Sequence, residues 1–148
     1  MIAQKKLRFG MVGAGAIAQA YAQAFENSSC AELVAVADVR EEAAAAVAGA
    51  AGCKSYTDYQ EMLKQTPFDA VIVCTPPSTH PEIGIWFLEN GIHVLCEKPL
   101  AISSGEAMAM LDAAAKSGNQ FTMASKFRFV EDIFKACLLY TSPSPRDS

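Results

Sequence analysis

The sequence predicts an α/β fold in which a doubly wound parallel sheet has helices on both faces. Two observations predict this class: short apolar runs alternate with helical segments along the chain, and the connections between them are short. With 148 residues, of which 51% are hydrophobic and 19% charged, the chain has the composition of a globular protein and room for one such domain. We expect the strand order 3-2-1-4-5-6, with a ligand over the carboxyl ends of the strands where the order reverses.

The first segment contains the most informative motif. An apolar run, Leu7–Val12, is followed by the turn G-A-G-A-I-A at residues 13–18 and then by helical spacing as far as Phe25. A strand, a G-x-G-x-x-A turn and a helix are typical of the opening of a dinucleotide-binding βαβ unit. Glycines between a strand and a helix can also be turn chemistry alone, so the motif depends on its context.

Each small residue of this turn has a physical role in such a unit. Gly13 allows the tight turn, Gly15 lets the backbone approach a diphosphate, and Ala18 lets the helix lie close to the strand. The helix N-terminus, at Ala16 and Ile17, then offers free N–H groups and a partial positive charge to the phosphates.

A carboxylate follows the second strand. The apolar run Ala31–Ala37 ends at Asp38, at about the interval where a dinucleotide fingerprint has an acid for the ribose hydroxyls. The alternative is an ordinary carboxylate at a strand end or helix cap. Because a carboxylate repels a 2′-phosphate, Asp38 favours NAD as the cofactor, whereas Arg40 leaves some room for NADP.

The later segments continue the alternation of strands and helices. Gly52 is expected to end the second helix, and Ser78 or Thr79 can cap the helix that follows the fourth strand. Strands are predicted at residues 53–56, 69–74, 92–96 and 121–125, and helices at residues 41–50, 59–65 and 80–90.

The last helix has clear start and stop signals. Ser103 and Glu106 have the spacing of a capping box, and Gly118 is placed to end the helix that they begin. This helix carries Met108, Leu111 and Ala115.

Two further motifs fall at the carboxyl ends of predicted strands: Thr75-Pro76 and Glu97-Lys98-Pro99. Lys98 lies on stiff backbone, because the proline after it restricts its conformation. At this rim a lysine ammonium can hydrogen-bond a substrate hydroxyl, help to move its proton and stabilise the developing alkoxide. The alternative is a solvated lysine paired with Glu97.

Four segments together resemble the Gfo/Idh/MocA family of oxidoreductases: GMVGAGAIAQAYAQAF, VAVADVR, DAVIVCTPPSTHPEI and NGIHVLCEKPLA. The resemblance covers about residues 6 to 129, and EKP after a strand is its most specific element. It implies a Rossmann domain that binds NAD or NADP. It also implies oxidation or reduction of a sugar, cyclitol or related polyol derivative by hydride transfer.

The resemblance implies a site residue by residue. The phosphate turn would be Gly13, Gly15, Ala16 and Ile17, and Asp38 would hold the adenosine ribose. A second set matches the segments near the nicotinamide: Thr75, Pro76, His80, Glu97 and Lys98. Among these the resemblance makes Lys98 the catalytic or substrate-orienting residue. His80 can instead be structural, since a histidine in the first turn of a helix often satisfies local backbone.

The resemblance also implies a domain organisation. Residues 1–126 would form the NAD(P)-binding domain, and residues 127–136 would begin a linker helix to the family's C-terminal α/β substrate domain, which is missing here. Residues 137–148, CLLYTSPSPRDS, match one reading frame of a transposase-type sequencing adapter, and we expect an artefactual disordered tail; a natural Ser/Pro-rich tail is the alternative. We expect the chain to be an inactive cofactor-binding half of a dehydrogenase.

Composition and net charge limit the classes of partner that we expect. The net charge of −4 gives no electrostatic reason to expect nucleic acid or anionic membrane, and no apolar run approaches the roughly 20 residues of a membrane span. The five cysteines form no C-x-x-C pair, so we expect no metal site and a cytoplasmic location. At full length the expected partners are a small sugar or polyol substrate and further copies of the chain.

Two other functions stay open within the resemblance. One is a glycosidase-like enzyme that oxidises its substrate transiently and releases the cofactor unchanged. The other is a non-catalytic nucleotide sensor or regulatory protein, against which Lys98 argues.

Overall fold

The computed structural model describes residues 5–125, 131 and 135, and within them six strands form one parallel sheet. The strands are β1 (Leu7–Val12), β2 (Ala31–Ala37), β3 (Lys54–Tyr56), β4 (Ala70–Val73), β5 (His93–Glu97) and β6 (Phe121–Ala124). The helices are α1 (Ala16–Glu26), α2 (Glu41–Ala51), α3 (Tyr59–Gln65), α4 (His80–Glu89) and α5 (Ser104–Ser117). The sheet order is β3-β2-β1-β4-β5-β6, so the predicted fold class and strand order are confirmed.

Successive side chains of the central strands point to opposite faces of the sheet, and each face has its own core. In β1, Met11 belongs to the core beneath α1 and α2, whereas Val12 belongs to the core on the opposite face. Ala18 and Ala22 of α1 are 0% and 3% exposed, and these small side chains let α1 lie close to the sheet. On the opposite face, α3, α4 and α5 each contribute fully buried side chains, among them Met62, Phe87 and Met110.

The helix ends follow the local signals in the sequence. Gly52 and Gly118 end α2 and α5 in the left-handed conformation, with φ of +67° and +71°. Ser103 and Glu106 form both hydrogen bonds of the predicted capping box. These predictions of helix ends are confirmed.

One expectation about the helices is only partly met. Thr79 occupies the N-cap position of α4, but its hydroxyl donates to Thr75 Oγ1 and to the Pro76 carbonyl oxygen, both at 2.8 Å, and makes no side-chain cap. Ser78 lies within a 3₁₀ turn, Pro77–Thr79, so the prediction of a cap at Ser78 or Thr79 is right for the position of Thr79 and wrong for the side-chain hydrogen bond. In α5 the buried residues are Met110 and Ala113, whereas Met108, Leu111 and Ala115 are exposed.

The predicted linker and tail fall largely outside the described residues. In the range 127–136 the structure describes only Glu131 and Lys135, which are helical and form a 2.7 Å ion pair. The predicted tail, residues 137–148, lies outside the described part altogether. Within residues 5–125, no helix has both the length and the apolar character that crossing a bilayer requires.

Candidate functional site

The carboxyl ends of four strands meet at one edge of the sheet, called here the carboxyl edge. The pairing aligns Val12 of β1 with Ala37 of β2 and with Val73 of β4, and Val73 in turn with Cys96 of β5. Every site residue predicted from the sequence lies at the carboxyl end of one of these strands, in the segment just after it, or, like Ile17 and His80, at the start of the next helix. The fold therefore brings both predicted groups to the same edge.

The turn after β1 packs tightly against the segment after β4. Gly13 has a φ of +96°, and its N–H donates to the Ala37 carbonyl oxygen at 2.8 Å. A Cβ at Gly13 would lie 2.7 Å from the carbonyl carbon of Cys74 and 2.8 Å from the nitrogen of Thr75. Only glycine fits this position, for both its conformation and its neighbours.

The start of α1 has the features of an anion site. Gly15 is the N-cap, no side chain caps it, and the first turn carries no acidic residue. A Cβ at Gly15 would meet nothing within 4 Å, so the space in front of Ala16 and Ile17 is open. Uncapped N–H groups at a helix N-terminus, together with the helix dipole, favour a phosphate there. The residues present thus fit a dinucleotide diphosphate.

Asp38 is bonded directly to the glycine turn. Its Oδ2 accepts from the Ala14 N–H at 2.7 Å, and its Oδ1 accepts from the Arg40 N–H at 2.9 Å and from Arg40 Nε at 3.3 Å. Burial acts to raise the pKa of the Asp38 carboxyl, but the hydrogen bonds from Ala14 and Arg40 outweigh it and hold that pKa below its usual value. The carboxylate is therefore charged at neutral pH, and Oδ2, which has a single donor, can still accept a hydroxyl. It does not cap α2, whose N-cap is Arg40.

His80 joins the segments after β4 and β5. The residue is fully buried, its Nε2 lies 2.7 Å from the Thr75 carbonyl oxygen, and its Nδ1 lies 3.1 Å from that of Pro99. These contacts support the structural role that the sequence analysis also weighed for His80. Thr75 is half-buried and Pro76 is exposed, so both can contribute to the surface of the carboxyl edge.

The carboxylate of Glu97 has partners other than the Lys98 ammonium. Glu97 Oε1 accepts a 2.7 Å hydrogen bond from Tyr21 Oη, and Oε2 accepts a 2.9 Å hydrogen bond from the backbone N–H of Lys98. Among residues 5–125, no carboxylate lies within ion-pair distance of Lys98 Nζ. The alternative in which Lys98 pairs with Glu97 is therefore not what the structure contains.

Sequence reasoning missed Tyr21 and the environment that it shares with Glu97. Burial, and then the hydrogen bond to Glu97 and its charge, raise the pKa of Tyr21 well above the ordinary value. Burial and the Glu97 charge also raise the pKa of the Cys74 and Cys96 thiols to about 12. No local signal could have found this cluster, because α1 supplies the tyrosine and β5 the carboxylate.

A groove of about 660 Å³ opens at this point between α1 and strands β4–β6. The polar residues that line it include Tyr21, Thr75, Glu97 and Lys98, and most of the remaining lining is apolar, with residues such as Ile17, Leu95 and Met123. A smaller cavity of about 360 Å³ lies near the end of β3, lined by α2 and α3 residues such as Glu41, Asp58 and Glu61. In the described part of the chain, no three His, Cys, Asp or Glu side chains cluster in a way that could hold a metal ion.

Comparison with known proteins agrees with this geometry. Residues 7–125 match the model of the Gfo/Idh/MocA family, described as an oxidoreductase family with an NAD-binding Rossmann fold. The chain is 35% identical over 123 residues to an inositol 2-dehydrogenase of Rhizobium meliloti, covering 83% of this chain and 37% of the relative. It is 34% identical to a glucose-6-phosphate 3-dehydrogenase of Bacillus subtilis, covering 89% of this chain and 38% of the relative.

A solved structure supports the same relationship. The WlbA dehydrogenase from Bordetella pertussis, in complex with NADH and UDP-GlcNAcA, is 32% identical and superimposes with a TM-score of 0.76. The match covers 82% of this chain and 36% of that one, so the chain spans little more than a third of the length of these relatives. Because the family model matches most of the chain and the predicted motifs lie together on one edge, the chain belongs to the Gfo/Idh/MocA family of oxidoreductases with an NAD-binding Rossmann fold.

Proposed function

We propose that this chain is the NAD-binding part of an NAD-dependent oxidoreductase that acts on a sugar, cyclitol or related polyol derivative. The observation that carries the proposal is the carboxyl edge, along which an uncapped helix N-terminus, the Asp38 carboxylate and Lys98 all lie. The names of the relatives support the substrate class, since they include inositol and glucose-6-phosphate dehydrogenases.

Different residues of the carboxyl edge would bind different parts of the dinucleotide. Gly15, Ala16 and Ile17 would hold the diphosphate through backbone N–H groups, and Gly13 would allow the tight turn that brings them to it. Asp38 would accept a hydrogen bond from an adenosine ribose hydroxyl. The nicotinamide end would be held by the residues after β4 and β5, namely Thr75, Pro76, Glu97 and Lys98. When bound, NAD supplies the acceptor for a hydride. The buried His80 would act on this end only through the backbone that it supports.

The same residues favour NAD over NADP. The Asp38 carboxylate is fixed by three hydrogen bonds and charged at neutral pH, so it would repel a 2′-phosphate. The guanidinium of Arg40 lies beside it at 3.3 Å and is already engaged by that carboxylate. We therefore expect NADH to bind more tightly than NADPH.

Lys98 is the residue that we assign to substrate chemistry. Its ammonium is exposed at the groove and unpaired within the described part of the chain, so it can hydrogen-bond a substrate hydroxyl, carry a proton and stabilise an alkoxide. We expect negligible turnover from these 148 residues alone, since the positioning of a substrate accounts for roughly 7–11 kcal/mol of a barrier. Residues 1–126 would form the cofactor domain in this proposal.

A fluorescence titration with NADH and NADPH tests the proposal. Wild-type protein should give saturable binding of NADH, with a lower dissociation constant than for NADPH. Asp38→Asn should weaken NADH binding on the order of tenfold, as expected for lost hydrogen bonds to a charged group. Asp69→Asn is the matched control, because Asp69 Oδ2 accepts the Arg8 N–H at 2.8 Å before β4, at the opposite edge of the sheet. An absence of saturable binding for both nucleotides would overturn the proposal.

A further inference from the structure

We propose that Tyr21 is a positioning residue, whose hydrogen bond to Glu97 fixes the Glu97–Lys98 segment relative to the glycine turn and keeps the Lys98 ammonium unpaired. The inference rests on the proposed function of the same site. It assigns a role at the Glu97–Lys98 part of the groove to a residue of α1 that lies outside the glycine turn.

The hydrogen bond between Tyr21 and Glu97 joins α1 to the end of β5, two elements that are far apart in the sequence. Tyr21 lies one turn beyond Ile17 on α1, and its hydroxyl reaches Glu97 Oε1 at the end of β5 at 2.7 Å. The second oxygen of Glu97 accepts the Lys98 N–H at 2.9 Å. Both carboxylate oxygens thus have a fixed donor, so the Glu97 side chain and the Lys98 backbone have one defined arrangement.

The phenolic O–H of Tyr21 also holds the charged Glu97 carboxylate in its observed position. Glu97 is half-buried beside the Cys74 and Cys96 thiols, whose raised pKa values keep them neutral. Without the phenolic O–H, one carboxylate oxygen would lose its donor, and the nearest cation along the chain is the ammonium of Lys98. The carboxylate would then be free to turn and pair with that ammonium. Tyr21 therefore keeps Lys98 available at the groove.

A purely structural role makes a different prediction. Tyr21 could serve only to pack α1 against the sheet, next to the buried Ala18 and Ala22. Phenylalanine would keep that packing, because it has the same ring, and would leave ligand binding unchanged. The two roles are distinguished by comparing a ligand that contains the nicotinamide with one that lacks it.

The experiment compares NADH with ADP-ribose, which lacks the nicotinamide, on folded wild-type and variant protein. Tyr21→Phe should raise the dissociation constant of NADH about three- to tenfold, because NADH binding must then restore the arrangement of Glu97 and Lys98 that the hydrogen bond holds in the free protein, and change that of ADP-ribose less than about twofold. Tyr56→Phe is the matched control, since Tyr56 Oη and Thr66 Oγ1 form a hydrogen bond of the same 2.7 Å length, and the Tyr56 ring packs in the core on the face of the sheet opposite α1. This control should leave both constants unchanged.

A second variant tests whether Tyr21 acts through Glu97. Adding Tyr21→Phe to Glu97→Ala should produce no further loss of NADH affinity, because the acceptor is already gone. Unchanged NADH binding in Tyr21→Phe, equal weakening of both ligands, loss of folding in this variant, or additive losses in the double variant would each overturn the inference. Failure of wild-type protein to bind NADH would instead overturn the proposed function, and this inference with it.

Discussion

Replacing each of the two glycines of the turn after β1 by alanine should separate folding from cofactor binding. Gly13 has a φ of +96°, and a Cβ there would lie 2.7 Å from the carbonyl carbon of Cys74 and 2.8 Å from its oxygen. A positive φ costs about 1–2 kcal/mol for a residue with a Cβ. Relieving the overlap adds about 1–3 kcal/mol, because the atoms in the way are backbone and cannot rotate aside.

Gly13→Ala should therefore lower the free energy of unfolding by about 2–5 kcal/mol, a large part of the 5–15 kcal/mol typical of a domain. Gly15→Ala is the matched comparison, since Gly15 has a φ of −77° and open space where its Cβ would be. This variant should stay within about 1 kcal/mol of the wild type. It should nevertheless bind NADH at least tenfold more weakly, because the methyl group enters the space that we assign to the diphosphate.

Urea unfolding followed by circular dichroism, together with an NADH titration of each folded variant, provides the measurement. The slopes of the unfolding curves should agree among the proteins, so that the midpoints report stability. Equal stability of the two variants would refute the close approach of Gly13 to Cys74. Unchanged NADH affinity in Gly15→Ala would refute the position assigned to the diphosphate.

Three further predictions concern side chains at the same edge. The folded-state pKa of Asp38 lies below its unfolded value of about 3.9. The charged carboxylate therefore stabilises the folded protein above that pH, and this contribution is lost as the pH falls through the folded pKa. The stability difference between wild type and Asp38→Asn, measured by urea unfolding, should accordingly shrink as the pH falls below about 4. A constant difference would contradict this. His80→Ala should lower the free energy of unfolding by about 2–4 kcal/mol, since it removes a buried ring and its backbone contacts, and a thermal melt within about 2 °C of wild type would contradict it. Cys74 and Cys96, with pKa values raised to about 12, should resist iodoacetamide at pH 8 while the exposed Cys30 reacts; peptide mass spectrometry measures the order, and equal labelling would contradict it.

The sequence sufficed where a structural feature has a local cause. Gly52, Gly118 and the Ser103–Glu106 box end or begin helices through bonds within a few residues, so their patterns predict the observed ends. The strand order follows from the alternation of elements and from the right-handed connections of parallel strands. The glycine turn and Asp38 were recognisable for the same reason, because each follows an apolar strand at a defined spacing.

The sequence alone did not predict the features that depend on tertiary contacts. The interior face of α5 is ambiguous because methionine, leucine and alanine occur on all sides of that helix, and packing against α4 selects Met110 over Met108. The strand predicted at residues 92–96 is His93–Glu97 in the structure, because pairing with β6 extends to Glu97 and Ala124. The Tyr21–Glu97 hydrogen bond depends on how α1 lies across the sheet, and no spacing rule encodes that.

The most direct test of a dinucleotide site at the carboxyl edge is an NMR titration of ¹⁵N-labelled protein with NADH. The account predicts saturable shifts of the amides of Gly15, Ala16 and Ile17, together with shifts at Asp38 and Lys98. Shifts confined to the cavity lined by Glu41, Asp58 and Glu61, or no shifts at any amide of the edge, would contradict it.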